Sequence, residues 1–262
     1  MILNNYHTHT YRCGHASGSD EEYVLEAIKN GLNVLGFSDH IPFNGFEQKG
    51  IRMNFDMIDD YVSSLKQLKE KYKDKIDIHI GLEAEYVPER MDYYKNLMEN
   101  KGIEYFIIGQ HMMFNNDGFI WSTGYPNDLK ILKKYVNTII EGMKTGLFKY
   151  VAHPDFILTA YDFNSDAKFD LTVKKQMKRI IQSSIDLNIP LEINCGGIRY
   201  SRTRKHYYPF DEFFKLVGEM GAKVIIGLDV HNPNEINDID CVKKALDLVN
   251  KYDLKLEQSL KI

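Results

Sequence analysis

Apolar residues come along this chain in short bursts, and between the bursts they return every three to four positions. Seven bursts have the length and the Val, Ile, Phe and Tyr content of strands: Ile2–His7, Asn33–Ser38, Ile76–Glu83, Tyr105–Gln110, Tyr150–His153, Pro190–Cys195 and Lys223–Asp229. The stretches between them predict helices. Ser19-Asp20-Glu21-Glu22 opens Glu21–Asn30 with an N-cap and first-turn acids, and Gly31 stops it. Asn54-Phe55-Asp56 precedes an amphipathic run to Lys71, Pro88 starts Glu89–Asn100, and Pro126-Asn127-Asp128 starts Leu129–Thr145; Asp170–Asn188, Pro209–Met220 and Pro233–Lys251 complete the series. Strands alternating with helices imply parallel βα units, and no linker-like stretch divides residues 1–262, which predicts one α/β domain. Leu254–Leu260 is the one candidate for an eighth strand, so a distorted barrel is expected rather than a regular eight-fold one.

Composition narrows the class. With 44% hydrophobic residues in 262, the chain can bury a large core, and nothing in it reads as disordered or fibrous. There is no apolar run near the roughly 18 residues of a membrane span, and the MILNNYHTHT start lacks signal-peptide features, so a cytoplasmic protein is expected. Cys13, Cys195 and Cys241 are odd in number and widely spaced, which predicts free thiols in a reducing compartment. The net charge of −4 offers no general attraction for nucleic acid, so an anionic substrate would need a local positive cluster.

The chemistry collects at one end of the strands. The long connections Ile41–Asn54, Met112–Asn127, Phe156–Lys168 and Gly196–Tyr208 all follow strand C-termini, the face of a barrel where binding loops gather. Six of the nine histidines lie in or just past a strand's C-terminal end: His7, His9, His40, His111, His153 and His231. His15 sits in the loop after the first strand. Residues two apart on a strand share a face, so His7 pairs with His9 and Asp229 with His231. Glu83 closes the third strand at the same level, and Glu85, of the same strand parity, falls in the loop that follows. Imidazoles mixed with carboxylates suit zinc, iron or manganese better than an all-oxygen cage, and the seven histidines with Asp229 and one of the two glutamates make nine ligands, enough for three ions at about three apiece.

This ordered set, His7-Thr8-His9, His15, Ser38-Asp39-His40, Gly81-Leu82-Glu83, Gly109-Gln110-His111, His153-Pro154-Asp155 and Asp229-Val230-His231, resembles the polymerase and histidinol phosphatase (PHP) family of metal-dependent phosphoesterases, and within it the histidinol-phosphate phosphatase branch. The resemblance spans essentially the whole chain. It implies a distorted (β/α)7 TIM-like barrel with a trinuclear site: His7, His9, Glu83 and Asp229 on one ion, Glu83 bridging to a second held by His111 and His153, and His15, His40 and His231 on a third. Glu83 is preferred over Glu85 as the bridge, leaving Glu85 as a substrate or surface residue. Asp39 and Asp155 are candidates to orient neighbouring imidazoles, with exposed or helix-capping roles as the alternative, and His79, mid-strand, is structural.

The implied activity is hydrolysis of L-histidinol phosphate to L-histidinol and phosphate, a step of histidine biosynthesis, with a metal-bridging hydroxide as nucleophile and Glu83, Asp229 and His231 as the catalytic set. Asp229, or a water near it, would protonate the leaving alkoxide. The basic run from Gly197 to Tyr208 reads as an anion clamp, with Arg199 first and then Arg202, Arg204 and His206. Phe43, Trp121, Tyr161, Asp162 and Glu192 are candidates to line the rest of the pocket, and Cys195 reads as a buried thiol. Two rivals remain open at this point: a nuclease or other phosphoesterase of the same family, and a noncatalytic metal-binding module.

Overall fold

Eight parallel strands form one curled sheet, ordered β1-β2-β3-β4-β7-β8-β9-β10, in a computed structural model that describes residues 2–115, 118–162, 167–201 and 208–262. The strands are β1 (Asn4–Asn5), β2 (Val34–His40), β3 (Asp77–Ala84), β4 (Tyr105–Ile108), β7 (Phe148–Val151), β8 (Leu191–Asn194), β9 (Lys223–Gly227) and β10 (Lys255–Leu256), with β5 (Met112–Asn115) and β6 (Gly118–Trp121) forming a separate antiparallel hairpin. Helices α1 (Asp20–Lys29), α2 (Ile58–Lys71), α3 (Met91–Asn96), α4 (Leu129–Lys144), α5 (Ala167–Leu187), α6 (Cys195–Tyr200), α7 (Asp211–Met220) and α8 (Ile239–Lys251) fill the connections. Their apolar stripes, such as Tyr61, Val62, Leu65 and Leu68 on α2 or Leu132, Tyr135, Val136 and Ile139 on α4, are buried in the main hydrophobic core. The α1 start carries the full capping box, Ser19 with Glu22. No helix among the described residues is long and apolar enough to cross a membrane.

The barrel is distorted at its seam. At the top, the continuation of β1 meets the continuation of β9 directly: Thr8 bridges Val230, and the His9 N–H donates to the Val230 carbonyl at 3.0 Å. At the bottom, the two-residue β10 pairs with β9, and the tail beyond it reaches β1 through Asn4 Nδ2 to the Gln258 carbonyl (2.8 Å) and the Leu260 N–H to the Tyr6 hydroxyl (3.1 Å). The eighth strand is therefore a wedge that widens one end of the sheet.

Inside the curl lies a small core of Tyr6, Tyr105, Ile107, Tyr150, Ala152 and Ile225. The Tyr105 hydroxyl donates toward the Tyr6 and Phe37 carbonyls, each at 2.9 Å, and its ring lies against β2 and β3. A Cβ at Gly81 would sit 2.3 Å from Tyr105 Cε1, so the glycine before Leu82-Glu83 is where the ring crosses the strand.

The sequence reading differs from the fold in several places, each with a local cause. Of Ile2–His7, Asn4–Asn5 alone pair as a strand, because the Asn5 side chain occupies the next rungs, accepting from the His7 and Leu228 N–H groups. The Met112–Asn127 loop contains the β5–β6 hairpin, in which Met112 pairs with Trp121 and Phe114 with Phe119. The Gly196–Tyr208 loop opens as α6, because Asn194 Oδ1 accepts from the Gly197 N–H at 2.8 Å and caps a helix. The Pro233–Lys251 helix breaks at Asp238, whose carboxylate caps α8 by accepting from Cys241 N at 3.0 Å.

Gly81→Ala tests the inner core: the added methyl is expected to cost about 1–3 kcal/mol, read as a lower denaturation midpoint. An unchanged midpoint would mean that Tyr105 is not rigidly seated.

Candidate metal centre

Parallel register brings the ligand candidates together. His40 ends β2 and is the direct register partner of Glu83 near the end of β3, which places His40 Nδ1 3.0 Å from Glu83 Oε2. Around the same carboxylate stand His7 Nε2 and His9 Nε2, each 3.5 Å from Oε2, His111 Nε2 at 3.6 Å from Oε1, and His153 Nε2 at 2.8 Å from Oε1. Asp229 Oδ1 lies 3.2 Å from His9 Nε2 and 3.6 Å from both His7 Nε2 and His231 Nδ1. His231 stacks on His9 with ring centroids 4.2 Å apart, and His15 follows at 4.6 Å from His231. All seven strand-end and loop histidines that the sequence singled out thus share one cluster with Glu83 and Asp229.

The electrostatics of the cluster set buried carboxylates against buried imidazoles. Burial opposes ionisation of Glu83, yet His111, His40, His7 and His153 hold its carboxyl well below the usual range. Burial likewise opposes Asp229, and His7, His9 and His231 hold it well below. For His7 and His9 desolvation favours the neutral ring, but Glu192, Asp229 and Glu83 raise His7 well above its ordinary value, and Asp229 and Asp39 raise His9 to about 9. Burial and then the neighbouring His9 push His40 and His231 well down. The cluster cannot protonate all its imidazoles at once. His7 Nε2, His9 Nε2, Glu83 Oε2 and His231 Nε2 are moreover buried without a hydrogen-bond partner, which is costly unless a cation satisfies them. This donor set fits divalent ions of the zinc, iron and manganese kind.

A second layer holds the candidate ligands. Glu192 accepts from His7 Nδ1 at 2.7 Å through Oε1, and from the His153 N–H (2.9 Å) and Asn194 Nδ2 (2.7 Å) through Oε2. The fixed ring nitrogen leaves Nε2 as the donor to metal. Asp39 lies 3.6 Å from His9 Nδ1 and is itself held by the Thr10 hydroxyl. Asp155 instead accepts from the Phe210 N–H at 2.6 Å, and burial pushes its carboxyl up to about 7. His79 pairs with Asp77 and Glu104, away from the cluster. Close glycines make room for the carboxylates: a Cβ would lie 1.9 Å from Glu83 Oε1 at Gly109, 1.7 Å from Glu192 Oε1 at Gly227 and 2.4 Å from Asp229 Oδ2 at Gly196. His153 and Asp229 themselves sit at positive φ (29° and 47°), a backbone strain held by their surroundings.

Above the cluster is a cavity of about 340 Å³, lined by Gly50, Ile51, Arg52, Trp121, Tyr200 and Tyr208 together with the site residues His15, His40, Glu83, His111, His153, Asp229 and His231. Several sequence assignments change here. Glu85 is neither a surface nor a substrate residue: it is buried in a two-pronged ion pair with Arg52 (2.9 and 3.2 Å) and stands 3.7 Å from His111 Nδ1, so it supports that ligand. Arg199 does not line the cavity, because α6 turns it back to donate to the Leu228 and Asp229 carbonyls, both at 2.5 Å. Tyr161 is outside the lining too, its hydroxyl donating to the Asp128 carbonyl at 2.6 Å. Phe43 packs beneath Arg52, Asp162 is not among the lining residues, and Glu192 belongs to the ligand support. Trp121 does line the cavity, and Cys195 is buried beside Cys241. Arg202, Arg204 and His206 lie outside the described residues, between Tyr200 and Tyr208, which both line the cavity. Arg52 and Tyr208 were missed by sequence reading; an Arg in a long loop after a strand end was the available signal for the first.

Comparison with known proteins gives the family and the fold. The PHP domain matches residues 5–196. The chain belongs to the PHP domain family. Among similar curated proteins are a probable histidinol-phosphatase of Deinococcus radiodurans, 25% identical with 94% of both chains covered, and a histidinol-phosphatase of Lactococcus lactis, 21% identical over 94% of this chain and 90% of that one. The fold is shared with the crystal structure of the Lactococcus lactis histidinol phosphate phosphatase in complex with zinc, L-histidinol and phosphate (TM-score 0.73, 18% identity, 100% and 99% of the two chains). A putative histidinol phosphatase from Listeria monocytogenes superposes with TM-score 0.74 at 17% identity over 91% and 99%.

Glu192→Gln tests the support layer. Metal affinity, measured by chelator competition, is expected to fall about 10–100-fold with the fold intact. Undiminished affinity would remove Glu192 from the metal machinery.

Proposed function

We propose that this PHP-family chain is a histidinol-phosphatase that hydrolyses L-histidinol phosphate at a three-metal site. The observation that carries the reading is the cluster of seven histidines around the buried Glu83 and Asp229 at the floor of a cavity sized for a small molecule. The relatives named for the same activity support it. His7, His9, Glu83 and Asp229 would hold one ion, Glu83, His111 and His153 a second, and His15, His40 and His231 a third; the convergence of His7, His9 and Asp229 supports the first of these sets. When bound, divalent ions supply Lewis-acid polarisation of the phosphoryl oxygens and acidify a water enough to act as nucleophile near neutral pH.

The protein's own groups do the rest. Glu83 and Asp229 would serve as carboxylate ligands, and Asp229, or a water that it orients, would give the leaving alkoxide its proton. Arg52 forms part of the cavity wall with its charge paired to Glu85, so Arg202, Arg204 and His206 are assigned to the phosphate oxygens on the strength of their place in the sequence between Tyr200 and Tyr208. Trp121, Tyr200 and Tyr208 give the wall aromatic faces against which an imidazole and an amine can rest. A cavity of about 340 Å³ favours a small monoester over a polynucleotide.

The test is phosphate release from L-histidinol phosphate compared with sugar phosphates and a model phosphodiester, with elemental analysis of the same preparation. Preference for histidinol phosphate is expected, with His9→Ala and Glu83→Ala falling to background and losing metal. A preference for the diester, or full activity in His9→Ala, would contradict the reading.

A further inference from the structure

Arg52 stands where three parts of the upper barrel meet. It lies buried in the loop between β2 and α2, and its side chain forms part of the cavity wall. The guanidinium grips the buried Glu85 carboxylate with both prongs, and Nη1 also donates to the Ile41 carbonyl at 2.7 Å. Nε donates to Gln48 Oε1 at 2.6 Å. With each edge of the planar fork on its own acceptor, the side chain is fixed in one orientation.

Two connections lead from that fork to His111. Glu85 Oε1, which accepts from Arg52 Nη2, faces His111 Nδ1, while Nε2 on the far side of the ring is 3.6 Å from Glu83 Oε1. A proton kept on Nδ1 by the carboxylate leaves Nε2 as the donor to metal. On the other side, Gln48 Nε2 donates to Met112 Sδ at 3.1 Å, one residue past His111. Phe46, 5.8 Å from the guanidinium carbon, packs edge-on against Phe119 of the β5–β6 hairpin with centroids 4.3 Å apart. That hairpin ends at Trp121 in the cavity wall. His111 has need of such bracing: 18% of its side chain is exposed, against 2% for His153 at the same Glu83 oxygen.

We propose that Arg52 is a positioning residue for the ion assigned to Glu83, His111 and His153. It clamps Glu85 against His111 and, through Gln48 and Phe46, ties that imidazole to the loop and hairpin that wall the cavity. Arg52 acts on the ion through Glu85, so the two residues form one unit and their effects overlap rather than add. The proposal rests on the reading of the cluster as a multi-metal centre but not on the identity of the substrate.

The experiment loads the full chain with zinc and measures, by chelator competition and elemental analysis, how many ions are held and how tightly. The variants are Arg52→Met, Arg52→Lys, Glu85→Gln and the double variant Arg52→Met/Glu85→Gln, which leaves no buried charge unpaired and so keeps the test open where a single variant fails to fold. One ion is expected to be held about 10–100-fold more weakly in Arg52→Met and Glu85→Gln, with the others unchanged. The double variant should lose no more than Glu85→Gln alone, and Arg52→Lys, which keeps the charge without the fork, should recover part of the loss. Phosphate release from L-histidinol phosphate should fall with the lost ion and return in excess zinc, a rescue that general loosening of the fold would not give. Wild-type affinity at every ion in the double variant, or equal weakening of all ions, would overturn the proposal while leaving the functional reading in place. If one ion weakens as expected but the wild type releases no phosphate from histidinol phosphate, the functional reading falls and the positioning role stands. Failure of the wild type to hold zinc at all would overturn the proposal and the metal-centre reading together.

Discussion

The structure depends on two carboxylates, Glu83 and Asp229, buried among seven imidazoles at the end of a parallel sheet. Removing a carboxylate from water costs several kcal/mol unless charge and hydrogen bonds replace what water supplied. Here the replacement is a ring of histidines whose own burial disfavours protonation, so the cluster carries a mismatch that divalent cations resolve better than protons do. The surrounding features serve that arrangement. Gly109, Gly227 and Gly196 give up their side chains so that Glu83, Glu192 and Asp229 can occupy the space, and His153 and Asp229 accept strained backbone to aim inward.

The barrel's distortion has the same origin. A regular eighth strand between β9 and β1 would separate His7 and His9 from Asp229 and His231. Because β10 wedges in at the bottom alone, the strand continuations meet at Thr8 and Val230, and the two pairs face each other across one hydrogen-bonded rung. The inner tyrosines, with Tyr105 linking the continuation of β1 at Tyr6 to β2 at Phe37 through its hydroxyl, fill the lower barrel and leave the upper end for chemistry.

Which residues were legible from sequence follows from the range of the interactions involved. His7 with His9 and Asp229 with His231 could be paired because strand alternation is local. Glu83 could be chosen over Glu85 by its motif, and the reason for that motif, Gly81 under the Tyr105 ring, emerges only in three dimensions. Glu85 was misread because its partner Arg52 lies 33 residues away in a long loop. Arg199 was misread because nearness to a strand end says nothing of direction, and a six-residue helix turns it away from the cavity. Glu192 was placed in the pocket when its hydrogen bond to His7, 185 residues distant, makes it ligand support. For Glu85 and Glu192 the missing information was long-range polar pairing, and for Arg199 it was the short helix that Asn194 caps.

The central claim is that this cluster is built around metal ions bridged by Glu83. Anomalous diffraction from crystals of the zinc-loaded protein tests it most directly. Three anomalous peaks are expected among His7, His9, His15, His40, Glu83, His111, His153, Asp229 and His231, two of them sharing the Glu83 carboxylate. A loaded crystal with one peak, or with no peak touching Glu83, would contradict it.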